Sequence, residues 1–364
     1  IFSVMGFLVP PGEQGRYYIF AQKNAESEVE EIEITRPEVY FGELSNEYVV
    51  VGTDEAEFDY PSGDSNEYTY YEGTAGIKLN LFNRAVFAAR EGSIQLLVSS
   101  NINSDSRIIV NRNVMDRVVK IMPYLTYEND PYMVTVDGKL YWMIDGFTST
   151  DKYPYATKVN NYRSPFYGEN YIRNSVKVTV DAYNGDVNFY ISDETDPFIQ
   201  SYAKIFPDLF QPLSAMPEEL QKHIKYPVEL FEVQTEIFQE YHMKDATVFY
   251  NKEDAWSVAT EIYGSSSTQM EPYYVNMRLP GSDELEFLLM RPYTPYQKQN
   301  MVSWLSARND DEHYGELVLL KLPKQTTIYG PMQIESRISN DSEISQNLTL
   351  WDQQGSSVIR SNLL

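Results

Sequence analysis

The residues best placed to do chemistry follow a β-hairpin in the first half of the chain. Asp145 comes directly after the apolar run 141–144, and Asp151 lies six residues further along. A carboxyl group at the end of a buried strand is shielded from water, and two neighbouring carboxylates can act as general acid and base. We therefore name Asp145 and Asp151 as candidate catalytic residues. The alternative is structural, with Asp145 accepting a hydrogen bond from Thr148 or a turn amide.

Aromatic and basic side chains supply candidate binding residues. Tyr153 and Tyr155 follow Asp151, in a chain with 30 Tyr among 364 residues. A Tyr-rich face suits a saccharide or a peptide, although half-buried strands also use Tyr. Arg291 and Arg337 are candidates for clamping an anion. The alternative is that each arginine neutralises nearby carboxylates, which this sequence has in excess.

A metal site has one candidate set of ligands. Asp181, Asn184 and Asp186 surround Gly185, and hard oxygen ligands suit Ca²⁺. No Glu follows at the spacing of an EF-hand loop, and a plain type I′ hairpin turn explains Asn184-Gly185 without a metal. The sequence therefore predicts no cofactor, with Ca²⁺ at these residues as the alternative.

Composition excludes several classes of function. Asp and Glu number 53 against 29 Lys and Arg, which gives a formal charge of -24. Because this charge repels phosphate backbones and no basic stripe offsets it, nucleic-acid binding is not expected. The sequence contains no Cys, which rules out disulfides and thiol nucleophiles. Phosphate-binding loops, nucleophile elbows and HExxH motifs are also absent.

The pattern along the chain predicts where the elements lie. Residues 1–195 are rich in β-strand patterns, with hairpin turns at Asp137-Gly138 and Asn184-Gly185. Helical periodicity predicts further elements. The predicted helical segments are 79–98 with a break near Gly92, 111–122, a block over about 196–262, 300–308, and two helices within 330–355. The terminal run "SSVIRSNLL" is typical of a strand.

These elements predict an α+β fold of antiparallel, hairpin-rich sheets with interleaved helices. A propeller-like β unit with helical insertions is the alternative, but no repeat of fixed period supports it. Within residues 1–364 we expect two sublobes, a β-rich one over 1–195 and one of mixed helix and strand over 196–364.

Long phrases of the sequence resemble a known family. Among them are "RIIVNRNVMDRVVKIMPYLTYENDPYMVTVDGKLYWMIDGFTSTDKYPYA" and "YGPMQIESRISNDSEISQNLTLWDQQGSSVIR". They resemble a family of uncharacterised bacterial and cyanobacterial multi-pass membrane proteins. The resemblance implies several N-terminal transmembrane helices followed by a large extracytoplasmic region, which this chain matches. It therefore implies that residues 1–364 are an extracytoplasmic fragment, attached to the cell membrane through segments that the sequence lacks.

The resemblance brings no catalytic residues, because the family has no assigned reaction. We therefore expect a binding or assembly role at the cell envelope, rather than catalysis. The expected partners are the protein's own transmembrane helices and an envelope saccharide, peptide or protein. The alternative is an envelope hydrolase that uses carboxylates.

Overall fold

The computed structural model describes residues 3–8, 17–22, 29–62, 65–263, 266–282, 284–310, 313–323 and 325–353. The predicted terminal strand at 356–364 lies outside the described residues. The strands are β1 (Ser3–Leu8), β2 (Tyr17–Gln22), β3 (Val29–Ile34), β4 (Val49–Val51), β5 (Glu57–Ser62), β6 (Ser65–Thr69), β7 (Ile77–Lys78), β8 (Arg107–Ile109), β9 (Thr126–Tyr127), β10 (Tyr132–Val136), β11 (Lys139–Thr150), β12 (Tyr171–Asp181), β13 (Val187–Ile191), β14 (Phe210–Pro212), β15 (Trp256–Val258), β16 (Thr260–Tyr263), β17 (Ser266–Gln269), β18 (Tyr273–Arg278), β19 (Leu285–Pro295), β20 (Ser303–Arg308) and β21 (Leu317–Lys321).

The helices are α1 (Leu81–Glu91), α2 (Gln95–Val98), α3 (Val114–Ile121), α4 (Pro197–Ile205), α5 (Glu218–Gln221), α6 (Val228–Tyr241), α7 (Ala246–Asn251), α8 (Pro331–Asn340) and α9 (Ser342–Gln353), with a 3₁₀ turn at Leu213–Ala215. In the part of the chain that the structure describes, every helix is too short or too polar to cross a bilayer.

A six-stranded sheet forms the centre of the first half. Its strands run in the order β10-β11-β12-β13-β14, and β9 also pairs with β11. All pairs are antiparallel except β13–β14, which is parallel. One face packs on a core that includes Ile144, Val176, Val178 and Val180. Strand β14 lies beyond residue 195 and continues this sheet. The predicted sublobe boundary at 195 stays a prediction.

A second, five-stranded antiparallel sheet lies in the second half. Its order is β15-β19-β20-β21, with β18 also paired to β19. Helix α6 contributes Phe231 to the core on this sheet, where it joins Trp256, Leu289 and Tyr293. Pro227, the N-cap residue of α6, has a fixed φ that suits the start of a helix. This packing fixes α6 beside β15 and β19.

Smaller sheets complete the architecture. They are β1-β2-β3, β4-β8-β7, β5-β6 and β16-β17. The α+β prediction is therefore confirmed, and the sheets of the described residues close into neither a barrel nor a propeller.

The two predicted hairpin turns differ. Asp137 and Gly138 both have positive φ, 51° and 71°, and join paired strand ends, as a type I′ turn requires. At the second hairpin, Gly185 has a φ of 70° but Asn184 is not in the positive-φ region. A five-residue loop, 182–186, separates β12 from β13. The type I′ prediction at Asn184-Gly185 was wrong, because the loop has five residues and closes through the Gly185 N–H, which donates to the Asp181 carbonyl at 2.8 Å.

Two other local predictions were wrong. Residues 300–308 were predicted to be helical, but Ser303–Arg308 form the inner strand β20, paired on both sides. Residues 196–262 contain helices α4 to α7, but also strands β14, β15 and β16. In both cases pairing to neighbouring strands overrides the local helical spacing. The break at Gly92 and the two terminal helices are confirmed.

Candidate functional site

The carboxylate singled out by the sequence belongs to a buried ion pair. Strand β11 does not end at Asp145 but continues to Thr150, and Asp145 faces Lys177 on β12 in register. The Lys177 ammonium donates to the Asp145 carboxylate, and each residue is 2% exposed. The Asn174 amide also donates to Asp145, at 3.0 Å. The structural alternative predicted a hydrogen bond from Thr148 to Asp145. Asp145 instead accepts hydrogen bonds from Lys177 and Asn174, and the Thr148 hydroxyl donates to Asp196.

The remaining donors of Lys177 bind groups from the second half of the chain. Its Nζ donates to the hydroxyl of Tyr314 at 2.9 Å and to the carbonyl of Lys225 at 3.3 Å. Burial alone would lower the pKa of Lys177, but Asp145 and Tyr314 outweigh it and raise the pKa. An ammonium with three satisfied donors and a carboxylate partner is stable in the interior. We call the buried side chains Glu128, Asp145 and Lys177 the buried polar cluster; their partner Lys225 is half-buried and Tyr314 is exposed.

Glu128 links this cluster to α6. Its Oε1 accepts a hydrogen bond from the Glu229 backbone N–H at 3.1 Å, in the first turn of α6. Its Oε2 is buried and has no hydrogen-bond partner among the described residues. Burial, and secondly the charge of Asp145, raises the pKa of Glu128 to about 8. Glu128 therefore caps the start of α6 by accepting the Glu229 N–H, because the Pro227 side chain has no acceptor atom.

Asp151 lies in a different environment from Asp145. It is at the surface and pairs with Lys152 at 2.9 Å and Lys158 at 3.2 Å. Six residues of extended strand span roughly 20 Å, well beyond the separation that a pair of hydrolytic carboxyls needs. The structure therefore does not bring Asp145 and Asp151 together.

The predicted binding residues are also dispersed. Tyr153 stacks on Tyr171 with ring centroids 5.7 Å apart, and Tyr155 projects fully into solvent. Arg337 lies over the ring of Tyr329 and donates to its hydroxyl at 2.7 Å. Arg291, in contrast, is 2% exposed. The two arginines therefore occupy different kinds of surroundings, and anion binding by either of them stays a prediction.

The candidate metal ligands serve the loop between β12 and β13. Asp181 accepts from the backbone N–H groups of Tyr183 and Asn184, both at 2.8 Å. Asn184 accepts from the Tyr71 hydroxyl and the Thr74 N–H, both at 3.0 Å, whereas Asp186 is exposed. Among the described residues no group of three His, Asp or Glu side chains is arranged to hold a metal. The expectation of no cofactor, with Ca²⁺ at this loop as the alternative, stays a prediction.

An open cavity of about 940 Å³ runs beside α6. The helix contributes Glu229, Glu232 and Glu236, whose spacing places all three on one face. The other walls come from the loop before β12, from β16 and β17, and from the segment leading into β18. We call this cavity the α6 groove; its lining is Asn161, Tyr162, Arg163, Glu229, Glu232, Glu236, Glu261, Thr268, Gln269, Glu271, Pro272, Tyr273 and Arg291.

Acidic side chains dominate the α6 groove, with five Glu against two Arg in its lining. Burial, and then the charge of Glu232, raises the pKa of Glu236. Burial also raises the pKa of Glu229, although the Asn129 amide partly opposes this. The buried Arg291 lies at its base, where it donates to the Met270 carbonyl at 2.8 Å and the Thr235 hydroxyl at 2.9 Å. Arg291 also pairs with Glu232 at 3.4 Å, and the remaining glutamates leave the groove with excess negative charge.

A second cavity of about 750 Å³ continues along the same helix. Glu236 lines both cavities, and the Asn161 amide donates to it at 3.0 Å. Exposed aromatic rings lie along this path, namely Tyr162, Tyr241 and Tyr296. Because α6 has 14 residues, the two cavities follow a helix about 21 Å long. Such a length suits an extended ligand better than a compact one.

Sequence reasoning missed the α6 glutamates. The segment "VELFEVQTEIFQEY" places Glu at positions i, i+3 and i+7, which is a visible signal of one helix face. A charged helix face is usually only solvated. Its opposite wall, from β16 and β17, comes from a later part of the chain and has no sequence signal that links it to α6.

Comparison with known proteins identifies relatives of known sequence but not of known structure. A UPF0182 protein of Pelotomaculum thermopropionicum is 52% identical over 92% of this chain, which covers 36% of that protein. A UPF0182 protein of Methanospirillum hungatei is 49% identical, also over 92% of this chain and 37% of its own length. The UPF0182 protein alr1037 of Nostoc sp. is 45% identical over 94% of this chain and 34% of its own length.

The chain thus spans about a third of the length of these relatives. No solved structure matches it. The model of an uncharacterised protein family, UPF0182, matches residues 5–351. With nearly the whole chain matched, the protein belongs to the UPF0182 family.

Proposed function

We propose that this chain is a binding module and that the α6 groove is its ligand site. The observation that carries the proposal is the groove itself, an open cavity with five glutamates and two arginines in its lining. Opposite charges attract across such a site, and low-dielectric walls strengthen the attraction. The ligand is an extended molecule that carries positive charge, such as a basic peptide segment or an amino sugar chain.

The aromatic rings suit the same ligand. Tyr162 is 76% exposed at the acidic cavity, and Tyr296 is 62% exposed at the adjoining one. Exposed Tyr rings stack on sugar or peptide groups and attract cations to their faces. Carboxylates and aromatic rings along one helix therefore offer both charge and stacking surface to an extended chain.

Binding is better supported than hydrolysis at the residues named from the sequence. Asp145 is neutralised by Lys177 inside the protein, and Asp151 is paired with two lysines at the surface. Neither residue lines the α6 groove or the adjoining cavity. A carboxylate without access to a substrate cannot transfer a proton to it.

The proposed place of action is the outer side of the cell membrane, in a protein anchored by transmembrane helices outside residues 1–364. The resemblance noted in the sequence motivates this location, and the relatives are long enough to contain such helices in addition to this region. The expected partners are those helices and an envelope saccharide, peptide or protein.

Calorimetric titration with a short lysine-rich peptide tests the groove. We expect binding that weakens with added salt, and no binding of a glutamate-rich peptide of the same length. The double variant Glu236→Gln/Glu271→Gln removes two carboxylates of the groove and should weaken binding by about tenfold or more. Glu218→Gln/Glu219→Gln removes two exposed carboxylates outside the groove and is the matched control.

Equal loss in both double variants would show that the peptide responds only to net charge, and the groove would then not be its site. A panel of neutral saccharides extends the titration. Saccharide binding that survives Glu236→Gln/Glu271→Gln would locate recognition in the aromatic rings rather than in the carboxylates.

A hydrolase remains the second candidate, for one reason. Glu229 and Glu236 line the same cavity and both have raised pKa values. A carboxyl group with a raised pKa holds its proton closer to neutral pH and can act as a general acid. Hydrolysis of an envelope saccharide that Glu236→Gln abolishes, while binding persists, would establish this activity in place of simple binding.

A further inference from the structure

The short helices α1 and α2 carry an apolar surface that the protein leaves uncovered. Helix α1 is apolar on two sides. Phe87 and Ala88 face inward and pack with Leu96 and Ile108. The opposite side should be polar on a soluble helix, but Leu81, Phe82, Ala85, Val86 and Ala89 occupy its exposed positions.

The exposure of these side chains is large. Leu81 is 84% exposed and Phe82 is 75% exposed, while Ile94 and Val98 next to and within α2 are 74% and 73% exposed. We call Leu81, Phe82, Val86, Ile94, Leu97 and Val98 the apolar helix patch. Exposed apolar groups gathered on one element mark an interaction site.

The patch is held in a fixed shape. The Arg84 guanidinium donates to the carbonyls of Leu96 and Leu97, both at 2.8 Å, and to that of Ser99 at 2.9 Å. Gly92, with a φ of 66°, ends α1 and turns the chain towards α2. These contacts hold the two helices, and the apolar side chains that they expose, in one fixed arrangement.

The charge around the patch is opposite to that of the whole protein. Residues 76–98 contain Lys78, Arg84 and Arg90 and one acidic residue, Glu91, which pairs with Arg90 at 3.2 Å, so that two basic charges remain in excess. The full chain has a formal charge of -24. An acidic border lies on one side, where Asp54 and Glu55 accept hydrogen bonds from Asn103 and Asn101.

We propose that the apolar helix patch docks onto the surface of an anionic lipid bilayer. Amphipathic helices that lie on membranes combine large apolar side chains with Lys or Arg, and bind through both. Because salt screens charges beyond about 8 Å, the local basic residues rather than the distant acidic ones meet the headgroups. The patch thereby sets which side of the chain faces the membrane.

A second copy of the chain fits the patch less well. Pairing two patches would bring together two sets of basic residues, which repel each other. An anionic bilayer complements the basic residues and accepts the apolar side chains at once. The bilayer is therefore the occupant that the charge distribution favours.

Flotation with lipid vesicles tests the proposal on the chain of residues 1–364. Vesicles of phosphatidylglycerol mixed with phosphatidylcholine should carry the protein at about 0.15 M salt, where the distant acidic residues are screened, and vesicles of phosphatidylcholine alone should carry much less. Leu81→Gln/Phe82→Gln changes two exposed side chains and should reduce the vesicle-bound fraction by about tenfold or more. Lys78→Glu/Arg90→Glu should reduce it and remove its dependence on lipid charge.

Leu44→Gln is the matched control, because Leu44 is 93% exposed but lies outside the patch. It should bind vesicles as the parent chain does. Failure of the parent chain to float with anionic vesicles at about 0.15 M salt would overturn the proposal. Equal loss in the Leu44 variant would do the same, and so would a dimer in sedimentation that Leu81→Gln/Phe82→Gln dissociates.

Discussion

The buried polar cluster and the α6 groove are both rich in ionisable side chains, yet they differ in how their charges are satisfied. In the cluster, Asp145 meets the ammonium of Lys177, and both are closed off from solvent. In the groove, three glutamates of α6 share one face with a cavity that opens to solvent. The contrast shows that a carboxylate behind an apolar run is more readily explained as an internal ion pair than as a catalyst. Access to a cavity, rather than the type of residue, distinguishes a carboxylate that can bind a ligand from one that only stabilises the fold.

Breaking the ion pair should produce the largest effect. Lys177→Met leaves the Asp145 carboxylate buried without its cation, and we expect it to destabilise the protein by roughly 3–5 kcal/mol. Urea unfolding measures this free energy. The double variant Asp145→Leu/Lys177→Met removes both charges and should recover most of the loss.

If Lys177→Met were as stable as the parent chain, the pair would not be structural and Asp145 would return as a candidate catalyst.

Glu236→Gln/Glu271→Gln removes carboxylates from the α6 groove instead of from the buried polar cluster. Because both carboxylates lie at an open cavity, it should change stability by only about 0.5 kcal/mol.

The pH dependence of the free energy of unfolding tests the buried polar cluster through Glu128. Its folded pKa of about 8 lies above the value of an unfolded Glu. The stability that the protonated carboxyl contributes is therefore fully present below the unfolded pKa and is lost as pH rises through 8. Glu128→Gln keeps an acceptor for the Glu229 N–H but cannot ionise. We expect it to be more stable than the parent chain at pH 8.5, by on the order of 2 kcal/mol, and to show a smaller gain at pH 5.5.

Urea unfolding at the two pH values checks this prediction, with Glu218→Gln as an exposed control. The decisive quantity is the difference between variant and parent, because other groups titrate in both. An equal difference at pH 5.5 and pH 8.5 would mean that Glu128 does not titrate in this range.

The smallest effect is expected at Asp151. Its contacts with Lys152 and Lys158 hold its pKa below the usual range, but all three side chains are at the surface. Exposed ion pairs contribute little because water and salt screen them. Asp151→Asn should leave the urea midpoint and peptide binding at the α6 groove unchanged. A clear loss of binding would instead extend the ligand site to this loop.

Local signals in the sequence were enough for several elements. Asp137-Gly138 forms the predicted turn because both residues adopt positive φ readily, and Gly92 ends α1 for the same reason. Strand β20 was missed because its pairing with β19 and β21 decides its structure. Pairing partners lie far along the chain, where short-range periodicity carries no information.

The sequence by itself determined the α+β class, the hairpin at Asp137-Gly138 and the family, because each depends on local chemistry or on long matching phrases. Only the tertiary structure decided the role of Asp145. Lys177 alternates with Val176 and Val178 along β12, as the polar face of a strand does, yet contacts with Lys225 and Tyr314 bury it. The α6 groove arises in the same way, since its walls come from distant segments. Burial and enclosure belong to the packed molecule and are set by which segments meet in space.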